Sequence, residues 1–218
     1  MFKAVLFDMD GVIIDSEPLH QKAYYGMFKE VGITVSDALY ESFTGKATLQ
    51  ICKQLVQEFQ LKQAPQELVN IKRGIFKHLF LNDPDLDLIA DVRELIEDYY
   101  NNGLTLVLAS SASMLTINNV FSRFELDQYF KAKLSGADLK ASKPHPEIFI
   151  KAAAASGFIR EECMVIEDST NGIKAAHAAG IYCVGFKSPH SKNQDYSLAD
   201  KVISSFNEIL FEKISTLV

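Results

Sequence analysis

The sequence predicts an α/β fold in which a parallel sheet forms the core and a helical segment is inserted near its start. Short apolar runs alternate with helical patterns from about residue 90 to residue 186, as is typical of parallel strands with helices on both faces. Between residues 16 and 83 the apolar residues recur only at helical spacing, and no strand-like run interrupts them. With 218 residues, 48% of them apolar, the chain is long enough to bury such a core.

The first predicted strand is the apolar run that begins at Lys3 and ends in two carboxylates, Asp8 and Asp10, followed by Gly11. Side chains two apart on an extended chain point the same way, so the two carboxylates are expected to share space if the strand continues. Two like charges so close favour a bound cation. One interpretation is a magnesium-bound pair that does nucleophilic and acid–base work, and the other is an acidic turn after a strand.

The helical segment begins near Ser16, which is expected to cap its first helix, and that helix is expected to end at Gly32. An acidic, proline-bearing stretch at residues 82–85 marks the return of the chain to the sheet. The predicted domains are a core of residues 1–15 and 84–218 and a helical insertion of residues 16–83.

Beyond the insertion, helices and strands alternate. Pro146 suits a helix start, and Gly180 suits a helix end. We place helices at residues 90–101, 114–124, 146–157 and 172–179, and strands at residues 104–109, 132–135, 163–166 and 182–186.

Polar residues follow each of the predicted inner strands, where ligands bind in parallel sheets. Ser110 follows the second strand, Lys143 lies in the loop after the third, and Glu167 and Asp168 follow the fourth. Each also has a simple structural interpretation, as a helix cap, a solvated loop charge or an acid pair at a helix start. Because they occur together with the first acid pair at one sheet edge, a shared site is favoured over coincidence.

Composition limits the partners and the location. The chain has 22 basic and 28 acidic residues, a formal charge of −6 and no basic block, so neither nucleic acid nor an anionic membrane is expected as a partner. Asp8 and Asp10 interrupt the first apolar run, so we expect no signal peptide or membrane span and a cytoplasmic location. A monomer is also expected. The three cysteines are expected to be reduced, and the histidines are scattered singly.

Four short segments resemble, in order, the motifs of the haloacid dehalogenase superfamily of phosphotransferases. They read DMDGVIIDS at 8–16, LVLAS at 106–110, SKPHP at 142–146 and VIEDS at 165–169. The resemblance covers nearly the whole chain, and the helical insertion makes it similar to the subgroup of small sugar phosphatases and beta-phosphoglucomutase. It implies a Rossmann-like core with a helical cap.

The resemblance also implies residue roles. Asp8 would attack phosphorus and form an aspartyl phosphate, and Asp10 would act as general acid and then general base. Ser110 and its neighbour Ser111 would hold phosphoryl oxygens, while Lys143 offsets their charge.

A magnesium ion is the implied cofactor. Asp8, the carbonyl of Asp10 and Asp168 would hold the ion, with Glu167 as an added ligand or a supporting group beside it. Gly11 would permit the tight turn after the acids.

The expected substrate is a small phosphorylated metabolite, most simply a sugar phosphate, from which the enzyme would release phosphate. Glu17, His20 and the loop Thr44–Gly45–Lys46 are candidates to contact it, although ordinary roles are favoured, with His20 as a polar residue on a helix face and Lys46 as a solvated loop charge. The alternatives are a beta-phosphoglucomutase and a non-catalytic phospho-ligand binding module. In the mutase an arginine follows this loop's lysine, whereas residues 44–50 of this chain contain none, which favours the hydrolase.

Overall fold

The computed structural model describes residues 1–43, 46, 48–188 and 193–214. Thr44 and Gly45 of the predicted substrate loop lie outside the described residues, whereas Lys46 lies within them. The chain divides into two compact units, Met1–Asp15 with Asp87–Val218, and Ser16–Leu86. The boundary follows Leu86, whereas composition placed the return of the chain at residues 82–85.

The first unit, the core unit, is built on a parallel sheet, as the alternation of strands and helices predicted. Its six strands within the described residues are β1 (Ala4–Phe7), β2 (Thr105–Ser110), β3 (Phe130–Ser135), β4 (Cys163–Glu167), β5 (Tyr182–Phe186) and β6 (Lys201–Ile203). They lie in the order β3-β2-β1-β4-β5-β6, and every neighbouring pair is parallel. β6 was not predicted, because a strand of three residues at a sheet edge, with Val202 exposed, shows almost no apolar pattern.

The second unit, the helical unit, contains α1 (Glu17–Val31), α2 (Asp37–Glu41), α3 (Thr48–Glu58) and α4 (Pro65–Asn82). Its own hydrophobic cluster joins α1, α3 and α4 through residues such as Met27, Leu55 and Leu68. Ser16 occupies the N-cap position of α1, but its side chain makes no capping hydrogen bond there, so the predicted cap is positional only. Gly32 ends α1 in the left-handed conformation, as expected.

The helices of the core unit are α5 (Val92–Asn101), α6 (Met114–Arg123), α7 (Glu147–Ser156), α8 (Thr170–Ala179) and α9 (Phe211–Ile214). Alternate residues of β1, β2 and β4, such as Leu6, Val107 and Val165, pack in one cluster with α7 and α8. Those helices face the sheet with alanines, including Ala152 and Ala176, which lets them lie close to it.

The register of the sheet brings three strand ends to one place. Phe7 of β1 pairs with Leu108 of β2 on one side and with Ile166 of β4 on the other. The residues that follow these three positions therefore meet at the carboxyl edge of the sheet. Within the part of the chain that the structure describes, no helix is both long and apolar enough to cross a membrane.

Candidate active site

Asp8 lies directly after β1 and is held between the neighbouring strands. Its backbone N–H donates to the carbonyl of Ile166 at 3.0 Å, which continues the pairing with β4 by one residue. The carboxyl group is buried, and its Oδ1 accepts a hydrogen bond from Lys143 Nζ at 2.5 Å. The end of the strand therefore fixes both the backbone and the side chain of Asp8.

Lys143 reaches the same point from the loop before α7. Its ammonium donates to Asp8 Oδ1, to Glu167 Oε1 at 2.7 Å and to the carbonyl of Ala109 at 3.0 Å. An ammonium has three protons, so all of them are engaged by protein oxygens. Burial by itself lowers the pKa of Lys143, but the carboxylates of Asp8 and Glu167 outweigh it and raise that pKa above its ordinary value. Lys143 is therefore a fully hydrogen-bonded cation.

Glu167 ends β4, and both of its oxygens are occupied. Oε1 accepts from Lys143, while Oε2 accepts from the backbone N–H of Ser169 at 3.0 Å and from its hydroxyl at 2.9 Å. Only 1% of the Glu167 side chain is exposed. This carboxylate is therefore shared between the lysine and the start of α8.

Three carboxylates form a cluster suited to a hard cation. Asp8, Glu167 and Asp168 each place one oxygen within 4.8 Å of the others. Burial, and then the charges of Glu167, Asp10 and Asp168, raise the pKa of Asp8, whereas the Lys143 ammonium lowers it. The three carboxyl groups outnumber the one ammonium that contacts them, that of Lys143, and an all-oxygen donor set of this kind fits Mg²⁺.

Asp10 lies in the turn after β1 and is outside this group of three. The turn is closed by hydrogen bonds from the amides of Ile13 and Ile14 to the carbonyl of Met9. Gly11 has a φ of +80°, and a Cβ built on it would lie 2.2 Å from Asp168 Oδ2. The sequence predicted this glycine for the turn alone. The structure adds that a side chain there would displace Asp168.

Ser110 is the last residue of β2, one residue beyond the predicted strand, and Ser111 follows it at the same sheet edge. Ser110 is fully buried, and its Oγ accepts from the backbone N–H of Ala112 at 3.0 Å. Ser111 is exposed. Gly136 lies against both residues, because a Cβ on it would be 3.1 Å from Ser111 Cα and 3.2 Å from the Ser110 carbonyl oxygen. That either serine contacts phosphate stays a prediction.

Three contributors were not predicted from the sequence: the carbonyl of Ala109, the hydroxyl of Ser169, and Gly172, on which a Cβ would lie 1.7 Å from Glu167 Oε1. Ser169 precedes α8 at the N-cap position, so a search for helix caps would have found it. The other two have no local signal, because a carbonyl carries no residue identity and Gly172 lies inside a helix.

His20, Glu17 and Lys46 belong to the helical unit. Lys72 Nζ lies 2.7 Å from His20 Nδ1, and the His20 ring stacks on Phe76 at 4.2 Å between centroids. Burial, together with the Lys72 ammonium, lowers the pKa of His20 to about 3, so the imidazole is neutral and accepts the hydrogen bond. Lys46 donates to Gln54 Oε1 at 3.0 Å, and Glu17 is exposed. Their contact with substrate stays a prediction.

Comparison with known proteins gives concordant results. A family model described as haloacid dehalogenase-like hydrolase matches residues 5–186. Hexitol phosphatase B of Escherichia coli (strain K12) is 30% identical over 207 residues, which are 94% of this chain and 93% of that protein. A phosphorylated carbohydrates phosphatase of Thermotoga maritima is 28% identical over 202 residues, covering 91% and 90% of the two chains. The crystal structure of a beta-phosphoglucomutase from Clostridium difficile aligns with a TM-score of 0.74 and 25% identity over 100% of this chain and 97% of that one.

Proposed function

Because the chain belongs to the haloacid dehalogenase-like hydrolase family, we propose that it is a phosphatase that releases phosphate from a small phosphorylated carbohydrate. One observation carries the proposal: a buried carboxylate, Asp8, is held by Lys143 at the edge of an acidic cluster. The names of two relatives, a hexitol phosphatase and a phosphorylated carbohydrates phosphatase, support the substrate class.

In the proposed reaction Asp8 attacks the phosphorus of the ester. The bond from Asp8 to phosphorus forms as the bond to the sugar oxygen breaks, and Asp10 gives its proton to the leaving oxygen. Asp10 then takes a proton from a water molecule that attacks the aspartyl phosphate. Inorganic phosphate leaves, and the Asp8 carboxylate and protonated Asp10 are restored.

Mg²⁺ is the cofactor that the donor set fits, and we propose that Asp8, Asp168 and the Asp10 carbonyl hold it, with Glu167 beside them. Bound there, Mg²⁺ supplies the positive charge that lets an anionic ester approach a cluster of carboxylates. The pKa of Asp8, raised by burial and by its acidic neighbours, supports a need for that charge.

Lys143 acts on Asp8 in this proposal. Its three protons are all donated to protein oxygens, so its contribution is to orient the attacking carboxylate and to keep positive charge beside it.

Ser110 and Ser111 are proposed to hold phosphoryl oxygens. A cytoplasmic location and a monomeric state are also proposals.

The test is phosphate release from a panel of phosphorylated carbohydrates, hexitol phosphates among them, with Mg²⁺ and with excess chelator. We expect turnover of at least one compound that needs Mg²⁺, and a loss of several orders of magnitude in Asp8→Asn, because an amide cannot attack phosphorus. A folded Asp8→Asn protein with near-normal turnover would refute the nucleophile, and full activity in chelator would refute the metal.

A further inference from the structure

We infer that Ser169 is a positioning residue that fixes the orientation of the Glu167 carboxylate. Through Glu167 it also fixes the position of the Lys143 ammonium beside the carboxylate of Asp8. The catalytic part of this inference rests on the proposed function. Its structural part concerns the placement of a lysine and stands without any assumption about turnover.

Ser169 makes contacts in two directions. Its hydroxyl donates to Glu167 Oε2 at 2.9 Å and accepts from the backbone N–H of Gly172 at 3.1 Å, so both capacities of one hydroxyl are used. Its backbone N–H donates to the same Oε2 at 3.0 Å. Ser169 therefore ties the Glu167 carboxylate to the first turn of α8.

The contacts continue without a break to Asp8. Glu167 Oε1 accepts from Lys143, whose ammonium also donates to Asp8 Oδ1. The side chains of Glu167, Lys143 and Asp8 are only 1%, 7% and 9% exposed, so water cannot readily replace a lost partner. In such surroundings each acceptor depends on the hydrogen bonds that orient it.

Gly172 provides the space that this arrangement needs. A Cβ built on it would lie 1.7 Å from Glu167 Oε1 and 1.8 Å from Glu167 Cδ. Any side chain at position 172 must therefore displace the carboxylate that Ser169 holds. Two features of α8, its N-cap hydroxyl and its bare glycine, thus fix one carboxylate in one orientation.

Without the Ser169 hydroxyl, Glu167 Oε2 accepts only from the backbone N–H of Ser169. The Glu167 carboxylate can then rotate more freely. Lys143 then loses a fixed acceptor, and its ammonium gains freedom relative to Asp8. Groups that support the ligands and charges of a metal site change activity by roughly tenfold to a hundredfold when they are removed. We expect a loss of that size in kcat, with KM changed less than about threefold, because Ser169 and Glu167 are not among the residues proposed to bind the substrate.

The kinetic test compares Ser169→Ala with Ser169→Thr, which keeps the hydroxyl, and with Ser36→Ala. Ser36 caps α2 in the same way, through a bond from the backbone N–H of Leu39, so its variant loses a cap but no contact to a carboxylate of the cluster. We expect low kcat in Ser169→Ala, recovery in Ser169→Thr and normal kcat in Ser36→Ala. Equal kcat in Ser169→Ala and the wild type would overturn the inference.

A second measurement does not depend on turnover. The ammonium protons of Lys143 are buried and hydrogen-bonded, so a ¹H–¹⁵N spectrum of the lysine side chains should show a slowly exchanging signal that disappears in Lys143→Met. In the magnesium-free protein we expect that signal to be lost or broadened in Ser169→Ala and retained in Ser36→Ala. An unchanged Lys143 signal in folded Ser169→Ala would show that Ser169 is only a helix cap and would overturn the inference.

The two measurements separate the inference from the proposed function. If the wild type hydrolyses no phosphate ester, the proposed function fails, and the exchange of the Lys143 ammonium still decides whether Ser169 positions it. If the wild type is active and the Lys143 signal is unaffected in Ser169→Ala, the positioning fails and the phosphatase stands.

Discussion

The contact between Lys143 and Asp8 places charges of both signs in a buried site, where the two side chains are only 7% and 9% exposed. A buried charge that loses its partner is left without compensation, which typically costs about 3–5 kcal/mol. Lys143 faces Asp8 and Glu167 directly, and Asp10 and Asp168 act on Asp8 as well. The stability of the core unit is therefore linked to the charge balance of the site.

We predict that Lys143→Met lowers the free energy of unfolding of the magnesium-free protein by about 3–5 kcal/mol, because the carboxylates lose their ammonium. Mg²⁺ should restore part of this loss by binding the folded state alone. The measurement is urea unfolding with Mg²⁺ and with chelator. Lys151→Met is the control, since its pair with Glu147 lies on an exposed surface of α7 and contributes at most about 1 kcal/mol. Equal losses in the two variants would contradict the prediction.

His20 gives a pH dependence at the same scale. Its pKa is lowered from 6.5 to about 3 by burial and by Lys72, so below about pH 6.5 the unfolded chain binds a proton that the folded chain does not. The neutral His20 therefore costs the folded state nothing above that pH. Between about pH 6.5 and pH 3 the free energy of unfolding falls by about 1.4 kcal/mol for each unit by which the pH is lowered. We expect His20→Gln to remove about 2 kcal/mol of the loss between pH 7 and about pH 5, measured by urea unfolding. Parallel pH profiles for the variant and the wild type would refute it.

At the scale of elements, α4 and α8 each contain a glycine. We expect replacement by alanine to stabilise the protein in α4 and to destabilise it in α8. Gly74 of α4 has nothing within 4 Å of the position of a Cβ, whereas at Gly172 of α8 that position is taken by Glu167. Helix propensity alone predicts stabilisation at both positions, by up to about 1 kcal/mol. Only α4 has room for the added methyl group, so only α4 is expected to gain this stabilisation.

We predict that Gly74→Ala raises the free energy of unfolding by about 0.5–1 kcal/mol and leaves turnover unchanged. Gly172→Ala should lower both stability and kcat, because Glu167 must move away from Lys143. Urea unfolding and phosphate release measured on the two variants provide the check. A Gly172→Ala protein as active as Gly74→Ala would show that Glu167 has room to adjust.

At the scale of the whole molecule, the question is whether phosphate is released or transferred. This chain is similar in sequence to proteins named as phosphatases and in structure to a beta-phosphoglucomutase. A mutase must hold the second, non-reacting phosphate of a bisphosphate, which requires arginine or lysine at fixed positions. Residues 44–50 contain one basic residue, Lys46, which donates to Gln54, and a single lysine lacks the forked geometry with which an arginine clamps a phosphate.

We therefore predict that phosphate release exceeds the conversion of beta-glucose 1-phosphate to glucose 6-phosphate. Both rates should be measured in one reaction with Mg²⁺ and a priming amount of the bisphosphate. Isomerisation that runs much faster than phosphate release would establish the mutase and exclude the phosphatase.

The sequence by itself determined the elements and the set of chemical groups. Apolar period and turn residues are properties of a few neighbouring residues, so the inner strands and most helix ends could be predicted within two or three residues. β5 was predicted with its observed ends, Tyr182–Phe186. The acids, the serine and the lysine could be listed because each directly follows a strand or lies in the loop after one. β6 was not predicted, because an edge strand of three residues is too short to show an apolar alternation.

Only the tertiary structure decided which of these groups touch. Asp8 and Lys143 are 135 residues apart in the chain, and their contact depends on the order and register of β1, β2 and β4. The contact of His20 with Lys72 of α4 likewise depends on tertiary packing. This contact distinguishes His20 from an ordinary surface histidine. Local propensity acts over a few residues, whereas distances between strand ends follow from the packing of the whole sheet. For that reason the sequence could name Glu167, and only the fold showed that Ser169 and Gly172 hold it in place.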